Sequence, residues 1–227
     1  MSNLNIQLGP YLLGPNETPE NGIYTGDAKL LSKAIPDNSV DLIFTDPIYD
    51  RIDDYRWLAE TAARVLKDDR ACLAWYGGPV PFDVQRAMGE SLTWQLNYTV
   101  PAKANKLIGY NLFTWTTSCL WFRKGKGFPI KRIPDTFIDG RKPANGFKWN
   151  KNPAVIERWV DAFTKIDAVV VDPFTGHGVV PAVCKMLGRH YLAFEIDPDV
   201  AERARERVRN TQPPLFVMQP EQVEMQL

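Results

Sequence analysis

A continuous apolar run that passes directly into a glycine turn constrains the fold of this chain most strongly. The run Ala168-Val169-Val170-Val171 ends at Asp172-Pro173, and Thr175-Gly176-His177-Gly178 then leads into a segment with helical character from Val179 to Leu187. An uninterrupted run of this kind is typical of a central parallel strand that is covered on both faces. The sequence therefore predicts a strand–turn–helix unit at residues 168–187.

Strands and helices alternate along the rest of the chain. We predict further strands at residues 23–25, 40–44, 71–76, 93–100, 116–122 and 191–196, and helices at residues 29–35, 57–67, 82–88, 154–163 and from Asp197 onward. This alternation predicts an α/β fold around a mostly parallel sheet. With 44% hydrophobic and 24% charged residues, the 227 residues are enough for one full core, so we predict a single domain over residues 1–227.

Several classes of protein are excluded by simple patterns. The longest uncharged stretch, residues 107–122, is shorter than the ~20 residues of a membrane helix. Residues 1–20 lack a secretory signal pattern. Cys72, Cys119 and Cys184 are far apart and form no CxxC pair, so we interpret them as reduced, buried thiols and not as metal ligands. We expect a cytoplasmic protein with no membrane partner and no metal.

Charge is distributed unevenly, although 27 basic and 27 acidic residues give no net charge. Between Pro101 and Lys151, eleven basic residues stand against only two acidic ones, so this segment carries +9 and the rest of the chain carries −9. We predict a basic insertion at residues 101–150 that faces a polyanion. The alternative is a solvated loop with surplus lysines.

The glycine turn has the features of a site for a ribose-bearing cofactor. Glycines allow close approach to a ligand, and the helix start favours an anionic group. Glu195 ends the next predicted strand, 19 residues after Gly176, where a carboxylate can bind ribose hydroxyls. A dinucleotide fingerprint would need a third glycine where Pro181 stands. The alternative is a purely structural strand–helix turn.

A second strand end carries the residues Thr45-Asp46-Pro47-Ile48-Tyr49. In open parallel sheets, ligands bind outside the carboxyl ends of the strands. The Asp46 carboxylate and the Pro47 carbonyl could accept the two hydrogens of an exocyclic amino group, while the ring of Tyr49 stacks on a planar base. The alternative is an ordinary turn, since Asp and Pro are common turn residues.

Three motifs together resemble the β class of S-adenosylmethionine-dependent DNA amino-methyltransferases. Asp46-Pro47-Ile48-Tyr49 resembles the D-P-P-Y motif of that family, and residues 172–178 resemble its D-P-F-x-G-x-G cofactor loop. Lys151-Asn152-Pro153 is similar to the K-x-P element that precedes this loop. The catalytic motif comes first, then a basic segment, then the cofactor loop, which is the permuted order of the β class. The resemblance extends over residues 23–209.

The resemblance implies a Rossmann-like methyltransferase fold with a mostly parallel seven-stranded sheet, helices on both faces and a circularly permuted motif order. It implies S-adenosyl-L-methionine as cofactor and Asp46, Pro47 and Tyr49 as the catalytic residues. The residues implied to bind the cofactor are Asp27, Lys151, Asp172, Phe174, Gly176, Gly178 and Glu195. The sequence departs from the family pattern at Ile48, which replaces the second proline and puts the efficiency of transfer in doubt.

The function predicted from the resemblance is methyl transfer to the exocyclic N6 of adenine in double-stranded DNA, with the target base flipped into the site, as in restriction–modification. The alternatives are cytosine N4, adenine N6 in RNA, and an inactive nucleic-acid-binding protein. The residues expected to contact nucleic acid are Lys124, Lys126, Lys131, Arg132, Arg141, Lys142 and Lys148. Among the aromatic residues we expect Phe113 and Trp115 in the core, and Phe128, Phe147 and Trp149 against nucleic acid. The small size of the insertion indicates a short recognition site or a homodimer.

Overall fold

The computed structural model describes residues 21–77, 81–89, 92–101, 105–107, 112–139 and 152–212. The strands are β1 (Asn21–Thr25), β2 (Val40–Thr45), β3 (Leu66–Tyr76), β4 (Leu92–Thr99), β5 (Asn105–Leu107), β6 (Leu112–Thr114), β7 (Thr116–Lys124), β8 (Thr136–Ile138), β9 (Val169–Asp172) and β10 (His190–Glu195). The helices are α1 (Ala28–Leu31), which continues as a 3-10 turn over Ser32–Ala34, α2 (Ile52–Val65), α3 (Pro81–Met88), α4 (Pro153–Phe163), α5 (Val179–Met186) and α6 (Pro198–Asn210).

Eight of these strands form one sheet in the order β1-β10-β9-β2-β3-β7-β4-β8. Among the described strands of this sheet, β7 runs antiparallel to its neighbours and the other seven point the same way. The carboxyl ends of those seven strands therefore lie along one edge, which we call the carboxyl edge. The opposite edge is the amino edge. Because β7 is reversed, it begins at the carboxyl edge and ends at the amino edge.

The predicted α/β fold is confirmed, and the number of strands is corrected from seven to eight. The additional strand is β8, which pairs with the end of β4 and lies in a stretch that the sequence predicted to be irregular. Between β4 and β7, where the sequence showed only a weak helical signal, β5 and β6 form a two-stranded antiparallel ribbon. Both ends of this ribbon connect to the carboxyl edge, because β4 ends there and β7 begins there.

The sheet is covered by helices on both faces. On one face, Leu31 of α1, Leu58 of α2 and Val84 of α3 pack in the same buried cluster as Val171 of β9. On the other face, α4, α5 and α6 pack in a second cluster together with Val170, the preceding residue of β9. Successive residues of a strand point to opposite faces, so a strand buried on both sides needs an unbroken apolar sequence. This explains the valine run from which its strand was predicted.

The second cluster is rich in aromatic side chains. The rings of Trp75 and Trp159 lie 5.1 Å apart, and each lies about 6 Å from Phe44, at 6.1 Å and 6.0 Å respectively. Trp75 is near the end of β3 and Phe44 is near the end of β2, so this cluster fixes the strand ends that carry the site. Cys72, Cys119 and Cys184 are buried thiols, as predicted.

Membrane-spanning helices and metal sites can be assessed in the described part of the chain. Within it, no helix is long and apolar enough to cross a membrane. In the same residues, no group of three or more His, Cys, Asp and Glu side chains has a geometry that could hold a metal ion.

Candidate active site

Four carboxylates follow the ends of four neighbouring strands along the carboxyl edge. Asp27 lies just after β1, Glu195 ends β10, Asp172 ends β9 and Asp46 follows β2. Neighbouring strands are about 4.8 Å apart, so these side chains form a row. The sequence predicted each of them as a site residue, and the sheet order brings them together in space.

The glycine turn between β9 and α5 is held open toward this row. Gly176 and Gly178 both have left-handed backbones, with φ of 52° and 72°. A Cβ on Gly176 would meet nothing within 4 Å, whereas a Cβ on Gly178 would lie 2.8 Å from the Cβ of Ala204 on α6. Gly178 is therefore required for close helix packing, and Gly176 leaves open space beside the strand ends.

Glu195 is oriented by backbone groups on both sides. The N–H of Gly176 donates to its Oε2 at 2.9 Å, and the N–H of Asp197 donates to its Oε1 at 3.0 Å. A carboxylate held by two amides cannot turn away from the edge. Asp27 is held in a similar way, because it caps α1 by accepting from the N–H of Lys29 at 2.8 Å.

Asp172 is almost completely buried at the junction between β9 and β2. Burial, with a smaller contribution from the charge of Asp46, raises the pKa of its carboxyl to about 7, although hydrogen bonds from Thr45 and from the backbone of Phe174 oppose the rise. The N–H of Phe174 lies 3.2 Å from Thr45 Oγ1 and 3.3 Å from Asp172 Oδ1. Thr45 thus connects the cofactor-type loop to the second motif. Sequence reasoning missed its role, although it directly precedes Asp46.

The ring of Phe174 packs edge-on against Trp57 of α2, with the ring centres 5.7 Å apart. Near the start of the same helix, Asp54 forms an ion pair with Lys29 of α1 at 2.7 Å. An open cleft of about 480 Å³ lies here, lined by Lys29 and residues 50–54. Neither Trp57 nor this ion pair was predicted, because each contact joins residues that are distant in sequence.

The second motif forms a compact turn after β2. Pro47 is buried, Asp46 is half-buried and Ile48 is exposed. The Tyr49 hydroxyl donates to Asp46 Oδ1 at 2.9 Å. Burial, together with the negative charge of Asp46, raises the pKa of Tyr49, so its hydroxyl remains a neutral donor. Tyr49 therefore fixes the orientation of the carboxylate.

The ring of Tyr49 also packs against the backbone of Gly77, the residue after β3. A Cβ on Gly77 would lie only 2.7 Å from Tyr49 Cε2. Nearby, the hydroxyl of Tyr55 donates to the carbonyl of Trp75 at 2.9 Å. Sequence reasoning treated Gly77 as a strand terminator only, and the structure gives it a second role in accommodating the tyrosine.

Four residues predicted to contact nucleic acid do not lie beside this site. Lys124 ends β7 at the amino edge, where it binds Asn38 Oδ1 and the Leu66 carbonyl. Lys126 and Arg132 are exposed in the chain that follows β7, and Lys131 pairs with Asp161 near the end of α4 at 2.5 Å. The structure therefore does not bring these four together with the carboxylate row. Arg141, Lys142, Lys148 and Lys151, with Phe147 and Trp149, lie outside the described residues.

The expected placement of the aromatic residues is corrected. Phe113 and Trp115 were assigned to the core, yet their side chains are 68% and 54% exposed. They lie at the carboxyl edge, on and just after β6. Phe128 is exposed as expected, but it lies beyond the end of β7, where it contacts Trp121 and the guanidinium of Arg123. It is therefore on the side away from the site.

Known DNA methyltransferases are similar to this chain in sequence and in fold. The family model described as DNA methylase, of the N6/N4 type, matches residues 84–206, more than half of the chain. Type II methyltransferase M.BamHI of Bacillus amyloliquefaciens is 28% identical over 247 residues, covering 83% of this chain and 57% of its own length. M.BglII of Bacillus subtilis is 27% identical, covering 84% of this chain and 71% of its own length. The chain thus spans a little over half of the M.BamHI sequence.

Solved structures share the fold at low sequence identity. The PvuII DNA methyltransferase, which is cytosine-N4-specific, superposes with a TM-score of 0.72 at 17% identity, covering 92% of this chain and 91% of that one. The M1.HpyAVI-SAM complex superposes with a TM-score of 0.66 at 21% identity, covering 82% of this chain and 98% of that one. Over most of the chain, the arrangement of strands and helices is therefore that of these proteins.

Proposed function

Because this chain belongs to the N6/N4 family of DNA methylases, we propose that it transfers a methyl group from S-adenosyl-L-methionine to the exocyclic N6 of an adenine in double-stranded DNA. The observation that carries the proposal is the direct contact between the two motifs. The loop residue Phe174 is hydrogen-bonded to Thr45, the residue before Asp46. An amino group held at Asp46 would therefore lie beside a ligand held at the glycine turn.

The chemistry of the carboxylate row fits the proposed cofactor. S-adenosyl-L-methionine carries a positively charged sulfur, an ammonium group and two ribose hydroxyls, all of which favour negatively charged or accepting partners. Glu195 is held in place by two amides, and Gly176 has open space beside it. Asp27 and Asp172 flank Glu195 on the two adjacent strands. When bound, the cofactor supplies an electrophilic methyl group, and the M1.HpyAVI structure named above is a complex with this molecule.

In the proposed reaction, Asp46 and Pro47 prepare the nitrogen. The lone pair of an exocyclic amino group is delocalised into the base, so the nitrogen is a poor nucleophile. Accepting its hydrogens at the Asp46 carboxylate and the Pro47 carbonyl draws the nitrogen toward a tetrahedral shape and frees the lone pair. Holding it in line with the methyl group supplies the rest through positioning. As the new N–C bond forms at the expense of the sulfonium S–CH3 bond, positive charge passes from the sulfur to the nitrogen, where the Asp46 carboxylate stabilises it, and the nitrogen then loses one proton.

The target base must leave the duplex to reach this edge, which costs a few kcal/mol. Stacking on the ring of Tyr49, worth roughly 1–3 kcal/mol, offsets part of that cost. The hydrogen bond from Tyr49 to Asp46 means that one residue both supports the base and orients the acceptor. A homodimer stays a prediction.

Cytosine N4 is the second candidate target, because the family includes both N6 and N4 enzymes by description. Aspartate as the first motif residue favours adenine over cytosine. The two targets share the same requirement for paired acceptors and a stacking ring, so the product itself must be identified.

The test is incubation with methyl-labelled S-adenosyl-L-methionine and unmethylated DNA, then RNA, followed by nucleoside analysis. Asp46→Ala is compared with Asp68→Ala, which makes the same change at an aspartate 89% exposed near the amino edge. We expect N6-methyladenine from the unmodified protein and from Asp68→Ala, and none from Asp46→Ala. Label in N4-methylcytosine would favour the second candidate. Label in RNA alone, or none in any substrate, would contradict the proposal.

A further inference from the structure

Two large aromatic side chains beside the proposed active site are exposed to solvent and are not buried in the core. Phe113 and Trp115 are 68% and 54% exposed, and both lie at the carboxyl edge. We call them the aromatic pair. Single exposed aromatic residues are common on protein surfaces, but apolar surface exposed beside a site indicates contact with a ligand.

The register of the strands gives the distance between the aromatic pair and the site. Tyr76, which precedes the Gly77 that Tyr49 packs against, pairs with Ser118 of β7. Trp115 lies three residues before Ser118, so it stands about 10 Å further out at the usual rise per residue. Because β7 is two strands away from β2, Trp115 also lies about 10 Å across the sheet, which puts it roughly 15 Å from the position of Asp46. A duplex that delivers a base to Asp46 therefore lies close to the aromatic pair.

The backbone at Trp115 is held firmly although its side chain is exposed. The carbonyl of Trp115 accepts from the N–H of Val100 at 2.9 Å. The hydroxyl of the preceding residue, Thr114, donates to the carbonyl of Thr116 at 3.0 Å and accepts from its N–H at 3.1 Å. An indole presented on such a backbone loses little conformational freedom when it stacks on a base, which favours binding.

The sequence on either side of the aromatic pair is basic, which favours a nucleic acid as the partner. Residues 101–115, which join β4 to β7, contain two lysines and no acidic residue. Asp139 and Asn152, on either side of residues 140–151, are hydrogen-bonded to each other, and Asp139 also accepts from Tyr98 at 3.0 Å. The stretch between them contains four basic residues and no acidic one. Both connections thus start and finish at the carboxyl edge.

We propose that Trp115, assisted by Phe113, is a wedge that inserts into duplex DNA next to the target base pair and stabilises the duplex while the base is extruded. The proposal rests on the proposed function, because it supplies the step that brings the base to Asp46. Apolar side chains inserted between base steps unstack and kink DNA, and an aromatic ring replaces part of the lost stacking. A second copy of this chain would be a less suitable partner, because residues 101–151 carry a net charge of +9 in each copy.

The experiment compares Trp115→Ala and Phe113→Ala with Trp94→Ala. Trp94 is a matched control: it is 56% exposed, but it lies near the start of β4, close to the amino edge. Each variant is assayed for methyl transfer to unmethylated duplex DNA and to the same DNA after heat denaturation. Binding of a fluorescent random-sequence duplex is measured separately by anisotropy, and thermal melting verifies that every variant is folded.

We expect Trp115→Ala to lower kcat/KM on duplex DNA about tenfold, equivalent to about 1.4 kcal/mol, and to weaken duplex binding. Transfer to denatured DNA should change less than twofold, because no base has to be extruded. Phe113→Ala should have a smaller effect, and Trp94→Ala should match the unmodified protein throughout. The proposal that Trp115 is a wedge would be refuted if kcat/KM fell equally in Trp115→Ala and Trp94→Ala, or if Trp115→Ala lowered it equally on duplex and denatured DNA.

The two proposals fail in different ways. If the unmodified protein transferred no methyl group but bound duplex DNA, the proposed function would fail, while the anisotropy comparison would still decide whether Trp115 contacts the duplex. If it transferred methyl groups normally and Trp115→Ala did the same, the wedge would fail and the proposed function would stand. Preferential binding of denatured DNA that depends on Trp115 would identify single strands as the partner and would also refute the wedge.

Discussion

Replacing Gly77 by alanine is expected to slow methyl transfer without affecting the cofactor. Gly77 lies at the end of β3, and its backbone lies against the ring of Tyr49. The added methyl group would lie 2.7 Å from Tyr49 Cε2 and 2.8 Å from Cδ2, whereas ordinary contacts begin at 3.4 Å. Gly77 is not among the described glycines with a left-handed backbone, so alanine fits the backbone and the tyrosine ring has to move.

The size of the effect follows from that displacement. The ring must retreat by about 0.7 Å to restore ordinary contact. A shift of that size lengthens the 2.9 Å hydrogen bond between Tyr49 and Asp46 to beyond a normal hydrogen-bond distance. Misplacement by about 1 Å can cost ~100-fold in rate, so we expect the single-turnover rate to fall between about 10- and 100-fold. Overpacking is expected to cost about 1–3 kcal/mol of stability.

The assay is single-turnover methyl transfer, combined with cofactor binding by calorimetry and a double-mutant cycle with Tyr49→Leu. If Gly77 acts through the tyrosine ring, Gly77→Ala should have little further effect once the ring is absent, and the two changes should not be additive. Cofactor affinity should remain within about twofold of the unmodified protein, because Gly77 follows β3, whereas the described residues proposed to bind the cofactor lie at the ends of β1, β10 and β9 or in the turn after β9. A Gly77→Ala enzyme with the normal rate, or strict additivity, would refute this reasoning.

Three further outcomes are expected. The Asp172 carboxyl has a pKa near 7 in the folded protein, so it keeps its proton at pH values at which the same group in the unfolded chain has lost it. The free energy of unfolding should therefore fall by up to a few kcal/mol as the pH rises from about 4 to 7. Asp172→Asn should remove this pH dependence in thermal melts without cofactor, and an unchanged pH dependence would contradict the prediction. Thr45→Val should cost about 1–2 kcal/mol in denaturant unfolding, because the Phe174 N–H loses a partner. Burial raises the pKa of the Cys72 and Cys184 thiols, so a thiol reagent should label them only after unfolding.

Long, regular patterns predicted the central part of the fold well. The strand at residues 169–172 is recognisable because burial on both faces demands the valine run, and α6 begins at Pro198 because Asp197 caps it. The family predicted from the motifs is confirmed by the match to residues 84–206. The order of the catalytic motif and the cofactor loop was sufficient for that prediction, since both are short and local.

The errors concern short elements whose stability comes from distant partners. Each strand of the β5–β6 ribbon, like β8, has only three residues, too few for a periodic pattern to distinguish strand from loop. Phe113 and Trp115 were assigned to the core because they are apolar. Composition alone does not distinguish an aromatic residue that is buried from one that is exposed. The contact between Gly77 and Tyr49 joins two strand ends across 28 residues, and no local pattern encodes it.

Acidic and basic residues belong to different halves of the sheet along the carboxyl edge, and the proposed reaction requires both. The acidic row belongs to β1, β10, β9 and β2, and the basic connections belong to β4, β7 and β8, on the other half of the sheet. Asp46 follows β2, at the boundary. We therefore expect a cationic cofactor at the acidic half of the edge and a polyanionic duplex at the half whose connections are basic in sequence.

Because of this division, the salt concentration should affect the binding of the duplex and the binding of the cofactor differently. The centre of the acidic half, between β10 and β9, is about 4.5 strand spacings from β4 at the centre of the basic half, or ~22 Å, which is more than twice the ~8 Å screening length at physiological ionic strength. Duplex affinity should fall steeply and linearly on a log–log plot as salt rises, because phosphate contacts release counterions. Cofactor affinity should change far less, since Asp172 is buried and Glu195 is held by backbone amides. A parallel loss of both affinities would mean that the halves of the edge do not act as separate surfaces.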